Sequence, residues 1–508
     1  MSTGPGDSLV SLYQSIIDAE QFRAVLFSER GDKQEYGTRS LDAMVRQIGK
    51  QLQDCGIGPG DVVLYQGHQS DNAFACFWAT VLIGGIFAPV DPDWPAYLSR
   101  KALEKAKPEC IIAAPGLTSF WQEAVSIPVL STQVGIATEN ISDTDPAWHP
   151  PSLPKDTPAA YLFTSGSTGD PKAVILSHAA LVISAHLAVS TFEWQTGEML
   201  VNLAEPHTMS GLRNGFLAAP LAGMHWAYRP EHARQSIFHL IDFLSRSQPH
   251  RLVAAPVLLR HLNLLGHRLE PRSLQRLQAL YCTGADLRNE DVKALYRSHG
   301  IPVINYYGLT ETVGLCLSQS LQGWSPEDDS LGMAAGCEIK IDPPPSKAED
   351  TGELLIRQRH PMTGYLNDKE ATTNRFDGEW IRTGDLVSQR CDGSFIMVGR
   401  KDSFIKTSST DRLYPQEVES VLESHHQVLE AACLGIQDRS GSEHIAALIV
   451  ASPSAKNPEG LSKALRDYAI ARLGPHRTPT SIRMVEALPR TSNGKLQRNH
   501  LKDLIDAN

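Results

Sequence analysis

Over roughly the first 300 residues, short apolar runs rich in β-branched residues alternate with longer stretches of helical character. The runs VVLYQ after Asp61, CIIAA from Cys110, LVAAP from Leu252 and VINYYG from Val303 are examples. Continuous apolar strands bounded by turn residues are those buried on both faces, so the alternation predicts parallel sheets covered by helices. After Gly314 the texture changes to short strands with frequent turns: EIKID from Glu338, GELLIR from Gly352 and GSFIMVG from Gly393. That pattern predicts a small antiparallel, barrel-like section over about 315–400. A further shift near Gly399 introduces a strand and helix mixture, carried by VESVLESH from Val418, IAALIV from Ile445 and the helical LSKALRDYAIARL from Leu461. The fold class expected is α/β. A large N-terminal domain over 1–400 holds parallel α/β sheets and the β-rich section, and a small mobile α+β domain follows over 401–508.

The most apolar stretch, Ala73 to Val90, is long enough to raise the question of a membrane span. Gly84, Gly85 and Pro89 interrupt it, so it reads as a buried helix to about Ile83, a glycine turn and the strand Ile86 to Val90. With 508 residues the chain suits about three folding units and can bury roughly three quarters of its unfolded surface without disulfides. Its 47 basic and 57 acidic residues leave a net charge of −10, which argues against a bulk nucleic-acid or anionic-membrane partner. The deficit lies in the first 400 residues; the last 108 carry +1, a balance that suits a part approaching polyanions. Eight scattered cysteines form no C-x-x-C pair, and the opening MSTGPGDSLV lacks the basic and apolar regions of a secretory leader. A cytoplasmic location without a metal cluster is the expectation.

The segment YLFTSGSTGDPKAVILSH from Tyr161 carries the most chemical information. A strand leads into a turn holding Thr164, Ser165, Gly166, Ser167, Thr168, Gly169 and Lys172, and a second strand and a helix follow. Glycines let the backbone approach a ligand; consecutive amides and hydroxyls surround phosphate oxygens, and Lys172 adds a full charge. This is not the G-x-x-x-x-G-K-[ST] loop, so P-loop chemistry is not implied.

From about Tyr36 to Leu501 the chain resembles the adenylate-forming superfamily of acyl-CoA synthetases, nonribosomal-peptide adenylation domains and luciferases. The segment NYYGLTETVG from Asn305 matches that family's aromatic-G-x-T-E motif. The resemblance implies that Tyr307 stacks on adenine and that Thr310 and Glu311 serve the phosphates and Mg²⁺. A hydroxyl and one carboxylate suit a magnesium already held by ATP. Gly284 and Ala285, after Thr283, match the loop passing the adenine; Asp385 matches the ribose-binding aspartate and Arg400 its supporting arginine. Lys495, in LPRTSNGKLQR, matches the catalytic lysine, and Asp402 matches the hinge. Rotation there exchanges the face bearing Lys495 for one bearing the loop around Lys406, where a pantetheine thiol is admitted.

Two departures qualify the resemblance. Where the family usually has glycine three residues after the Lys406 position this chain has Ser409, and the loop is one residue longer before Arg412. The substrate pocket is expected around residues 205–215, with His207, Thr208, Gly211 and Gly308 as candidates. There His207 stands four residues before Gly211 instead of the usual three. No Phe-Asp pair is present in that segment to meet an α-ammonium, which points to an acid without an α-amino group. Glu205 is open to a substrate or a solvent role, and Arg213 and His207 to a substrate contact or a place on a helix surface. The implied function is an ATP-dependent carboxylic acid ligase. It forms acyl-AMP and pyrophosphate, then passes the acyl group to CoA or a carrier-protein pantetheine. An amide-forming ligase, a stand-alone amino-acid-activating enzyme, a nucleotide-binding regulator without turnover and a luciferase-type oxygenase are the alternatives.

Overall fold

The computed structural model describes residues 8–28, 32–132, 150–165, 170–229, 237–265, 274–342, 351–406, 412–437, 443–452, 455, 458–490 and 496–506. These fall into two compact units, one of 1–338 with 356–381 and one of 339–355 with 382–508. Residue 400 therefore lies inside the second unit, and the turn-rich section that precedes it is divided between the two.

The first unit is built on two large sheets. In one, the strands Val303–Tyr307, Ala279–Cys282, Arg251–Ala254, Met199–Asn202, His225–Tyr228 and Arg23–Phe27 run parallel, and short antiparallel strands flank both edges. In the other, Pro158–Ser165, Ile86–Val90, Val62–Gln66, Cys110–Ala113 and Val129–Ser131 are parallel. The hairpin partner Pro171–Ser177 and then Gly364–Tyr365 add on antiparallel. The segment from 73 to 90 is core, as the glycines implied: a helix Asp71–Leu82, buried at every residue but Asn72, then the strand Ile86–Val90. A helix that is apolar all round belongs inside a large core. Its Phe74 and Phe77 meet Phe216, and Trp78 Nε1 donates to Phe216 O at 3.2 Å. Among the described residues no helix is long and apolar enough to cross a membrane.

In the second unit, Trp380–Gln389 and Phe395–Arg400 pair antiparallel with Asp385 opposite Arg400. Beyond them the helices Pro415–Glu423 and Pro458–Leu473 cover the strands Val428–Gln437, Glu443–Ala451 and Ser481–Met484. Leu413, Val418, Leu422, Cys433, Ala447, Ile449 and Leu465 form their core.

Candidate active site

The phosphate-loop segment is a β-hairpin: Pro158–Ser165 pairs antiparallel with Pro171–Ser177, bringing Thr164 opposite Lys172. Gly166, Ser167, Thr168 and Gly169 lie outside the described residues, as does the Ser165 side chain. Hairpin pairing sets Ser165 and Pro171, near the two ends of that turn, opposite each other. Lys172 half-emerges there, its Nζ 5.1 Å from the centroid of the Tyr365 ring, a cation–π distance.

Tyr365 joins this lysine to the aromatic-G-x-T-E motif. Its hydroxyl donates to Glu311 Oε1 at 2.6 Å, and Arg375 Nη2 donates to the same oxygen at 3.0 Å. Glu311 is buried. A buried carboxylate is tolerable only when paired and hydrogen-bonded, and here both conditions are met. Burial first, and the Glu311 charge next, push the Tyr365 phenol well above its ordinary range, so it stays a donor at any working pH. Neither Tyr365 nor Arg375 is marked in the sequence: Tyr365 sits on a two-residue strand without periodicity, and Arg375 ends the short helix Lys369–Arg375.

The motif itself is a compact turn after the strand Val303–Tyr307. Leu309 N donates to Thr312 Oγ1 at 2.9 Å, and Gly314 N to Leu309 O at 2.8 Å. Gly308 is demanded sterically: a Cβ there would lie 1.5 Å from Gly314 O. Tyr307 and Thr310 remain partly exposed on either side of it. Gly284, at a φ of +87°, and Ala285 form the turn after the parallel neighbour Ala279–Cys282.

On the acid-pocket segment, Thr208 caps a helix start: its Oγ1 donates to Glu205 O at 2.8 Å and accepts from Gly211 N at 3.0 Å. Gly211 is again a close approach, since a Cβ would meet Glu205 O at 1.8 Å. The helix continues as a π-helix over Leu212–Ala218. A π turn absorbs one extra residue within a helix; the four-residue spacing from His207 to Gly211 stands immediately before one. Glu205 does not simply face solvent, for its Oε2 accepts from Gln69 N at 2.9 Å and its Oε1 lies 3.5 Å from His68 Nδ1. His207 is buried, Nε2 3.6 Å from Asp91 Oδ2; burial lowers its pKa, the Asp91 charge opposing. Arg213 is wholly buried rather than on a helix surface.

The second unit groups other predicted residues. Arg400 Nη1 donates to the buried Asp385 at 2.8 Å, and its Nε reaches Asp402 at 3.4 Å. Burial lowers the guanidinium pKa, but Asp385 and Asp402 more than offset it. Glu353, which the motifs do not mark, braces the turn: it accepts from Gly384 N at 3.1 Å and from Lys401 Nζ at 2.7 Å. Lys495 lies outside the described residues, but the chain on both sides of 491–495 is fixed. Arg490 bridges Leu496, Gln497 N donates to Pro489 O at 2.8 Å, and Arg490 pairs with Glu430 at 2.7 Å. Arg498 forks onto Glu419 at 2.7 and 2.8 Å. Lys406 falls on the strand Ile405–Lys406, opposite Arg412, with its side chain outside the described residues, and Ser409 lies wholly outside them.

Two family models match: AMP-binding enzyme over residues 18–366, and AMP-binding enzyme C-terminal domain over 417–495. An indoleacetate–CoA ligase of Aromatoleum aromaticum is 25% identical, the match covering 95% of this chain and 95% of that protein. A dimodular nonribosomal peptide synthase of Bacillus subtilis is 28% identical over 98% of this chain, which spans 21% of that longer protein. The fold is that of the anthranilate–CoA ligase AuaEII crystallised with anthranoyl-AMP: the TM-score is 0.87 at 21% identity, covering 99% of this chain and 98% of that one. With the first model spanning more than half its length, this chain belongs to the AMP-binding enzymes, the adenylate-forming ligases that its motifs resemble.

Proposed function

We propose that this chain activates a small carboxylic acid lacking an α-amino group. The acid carboxylate attacks the α-phosphate of ATP, an O–P bond forms, and the bond to the β-phosphate breaks to release pyrophosphate. In the second step a thiol of CoA or of a carrier-protein pantetheine attacks the acyl carbon; its proton passes to solvent and AMP leaves. The observation that carries this reading is the chain of contacts Lys172–Tyr365–Glu311–Arg375. It ties a hydroxyl- and glycine-rich hairpin turn to the motif carrying Thr310 and Glu311.

Each residue has a chemical task in this reading. The amides and hydroxyls of 164–169 and the Lys172 ammonium receive the β- and γ-phosphates. Tyr307 and the Gly284–Ala285 turn hold adenine, and Asp385, steadied by Arg400, accepts from the ribose hydroxyls. Tyr365 and Arg375 share Glu311 Oε1, so the carboxylate is oriented rather than free to rotate. Its all-oxygen character and that of Thr310 fit Mg²⁺, which would offset phosphate charge when bound. Lys495 stabilises the charge gathered as the two anions meet, and Asp402 is the hinge that brings the small domain's Lys406 face round for the second step.

The relatives support a thiol acceptor: one is named as a CoA ligase, the other as a peptide synthase. Ser409 favours a second reading, in which a free amine takes the acyl group to give an amide. Purified enzyme incubated with ATP and an acid panel, with CoA or with amines, separates the two by product mass. Acyl-AMP with a thioester supports the proposal. An amide and no thioester supports the second reading. No acyl-AMP from any acid, despite ATP binding, contradicts both.

A further inference from the structure

Elsewhere in the first unit, deeply buried arginines have carboxylates. Arg251 is held by Glu198 through two bonds of 3.0 Å, and Arg260 lies 3.5 Å from Asp291. Arg213 differs. It is 0% exposed, and what meets it among the described residues is neutral: Asn214, whose Oδ1 accepts from Nε at 2.9 Å, the Tyr306 ring, 5.6 Å from its centroid, and the Tyr306 hydroxyl and Cys316 thiol, which favour its charge. Among the described residues Nη1 and Nη2 have no hydrogen-bond partner, and no carboxylate pairs with the guanidinium. A buried cation with four N–H donors unused is costly unless something supplies the anion.

Its position indicates what that anion is attached to. Arg213 lies on the π-helix of the 205–215 segment, and Nη1 is 2.7 Å from where a Gly314 Cβ would stand, with Met209 Cγ 2.9 Å from the same point. The guanidinium therefore abuts the bare backbone that closes the turn carrying Thr310 and Glu311. π turns are rare and occur frequently at functional sites. Glu311 cannot neutralise Arg213, since Tyr365 and Arg375 already hold it. An acid whose reacting carboxylate is directed to the α-phosphate has only its distal end left to meet this cation.

Resting on the adenylation reading above, we propose that the substrate acid carries a second anionic group, a carboxylate or sulfonate, and that Arg213 is the specificity residue that receives it. The guanidinium fork pairs with such a group through two parallel N–H···O bonds. An acid ending in a methyl group would leave the cation unpaired, and a site built for hydrogen bonding discriminates strongly against such an analogue.

The test compares matched acids: straight-chain C3–C6 monocarboxylates against dicarboxylates of equal length, and benzoate against the benzenedicarboxylates. Acid-dependent ATP–pyrophosphate exchange and the melting temperature are both measured, for the wild type, Arg213→Met and Arg213→Lys. The expected result is a preference of about 10⁴-fold in kcat/KM for a dianionic acid. Arg213→Met should reverse that preference, and Arg213→Lys should keep part of it. The melting temperature of ligand-free Arg213→Met should rise, because an unpaired buried charge is gone. A dianionic acid should raise the melting temperature of the wild type but not of Arg213→Met. A lower melting temperature in Arg213→Met with an unchanged acid preference would make Arg213 a structural strut and overturn the proposal. Equal use of mono- and dianionic acids by the wild type would overturn it while leaving adenylation intact. Stabilisation by a dianionic acid that Arg213→Met loses, without exchange from any acid, would uphold the Arg213 site and strike the adenylation reading.

Discussion

Glu311 and Arg213 are both buried charges in the first unit, and the protein treats them in opposite ways. Around Glu311 the charge is paired within the chain: Tyr365 and Arg375 take one oxygen, and Lys172 lies over the tyrosine ring. Around Arg213 it is not: among the described residues, two of its three guanidinium nitrogens have no hydrogen-bond partner. A satisfied network is rigid before any ligand arrives and suits a task common to every turnover, such as holding nucleotide phosphates. An unsatisfied one suits a task that only the right substrate completes. In the function proposed, the Glu311 side serves ATP and the Arg213 side the acid.

The largest effect expected belongs to Lys495. Lys495→Ala should lower acid-dependent pyrophosphate exchange by at least about 10²-fold, as loss of one transition-state donor does, while transfer from a supplied acyl-adenylate persists. Unchanged exchange would remove Lys495 from the chemistry. Next, Glu311→Gln tests how far the nucleotide side depends on pairing. Removing one partner of a buried ion pair costs about 3–5 kcal/mol, so urea unfolding should show a stability loss of that order beside the loss of exchange. A neutral stability change would mean that the network is not held by charge.

His178 sharpens the comparison with a second unsatisfied buried group. It opens the helix His178–Phe192; neither ring nitrogen has a partner among the described residues, and burial lowers its pKa to about 4. The unfolded chain takes up its proton near pH 6.5, the folded protein only near 4. The stability of the neutral form is therefore complete above about pH 6.5 and lost as pH falls towards 4, by roughly 3 kcal/mol. His178→Leu should flatten that part of the acid-unfolding curve relative to wild type; identical pH slopes would show that the imidazole does not titrate there. The smallest effect belongs to Tyr365→Phe. It deletes one hydrogen bond to a charged group, about 1.5 kcal/mol, and should slow exchange about tenfold without altering acid preference. A change in preference would join the two sides that the comparison separates.

The sequence marked the parts of the site that rest on local chemistry and left out those made by distant packing. The hairpin at 158–177 was legible because two apolar runs flank a glycine-rich turn, and the core segment 71–90 because its glycines break it. Gly211 and Gly308 were read as pocket residues; what the structure displays at each is backbone crowding. Tyr365, Arg375 and Glu353 were not legible. Each reaches its partner across 30 or more residues of chain, and nothing beside it in the sequence predicts that meeting. Arg213 read equally well as a surface residue, since a single arginine in a helical stretch usually is one; only burial without an anion sets it apart. The extra residue after His207 was visible as a spacing anomaly, and a π-helix follows it directly.

The account stands on ATP being cleaved between its α- and β-phosphates in step with acid consumption. Chromatography of the nucleotides from a reaction of the wild-type enzyme with ATP, acid and acceptor tests this directly. The account predicts AMP and pyrophosphate in equal amounts, one of each per acid activated. ADP and inorganic phosphate as the products would contradict it.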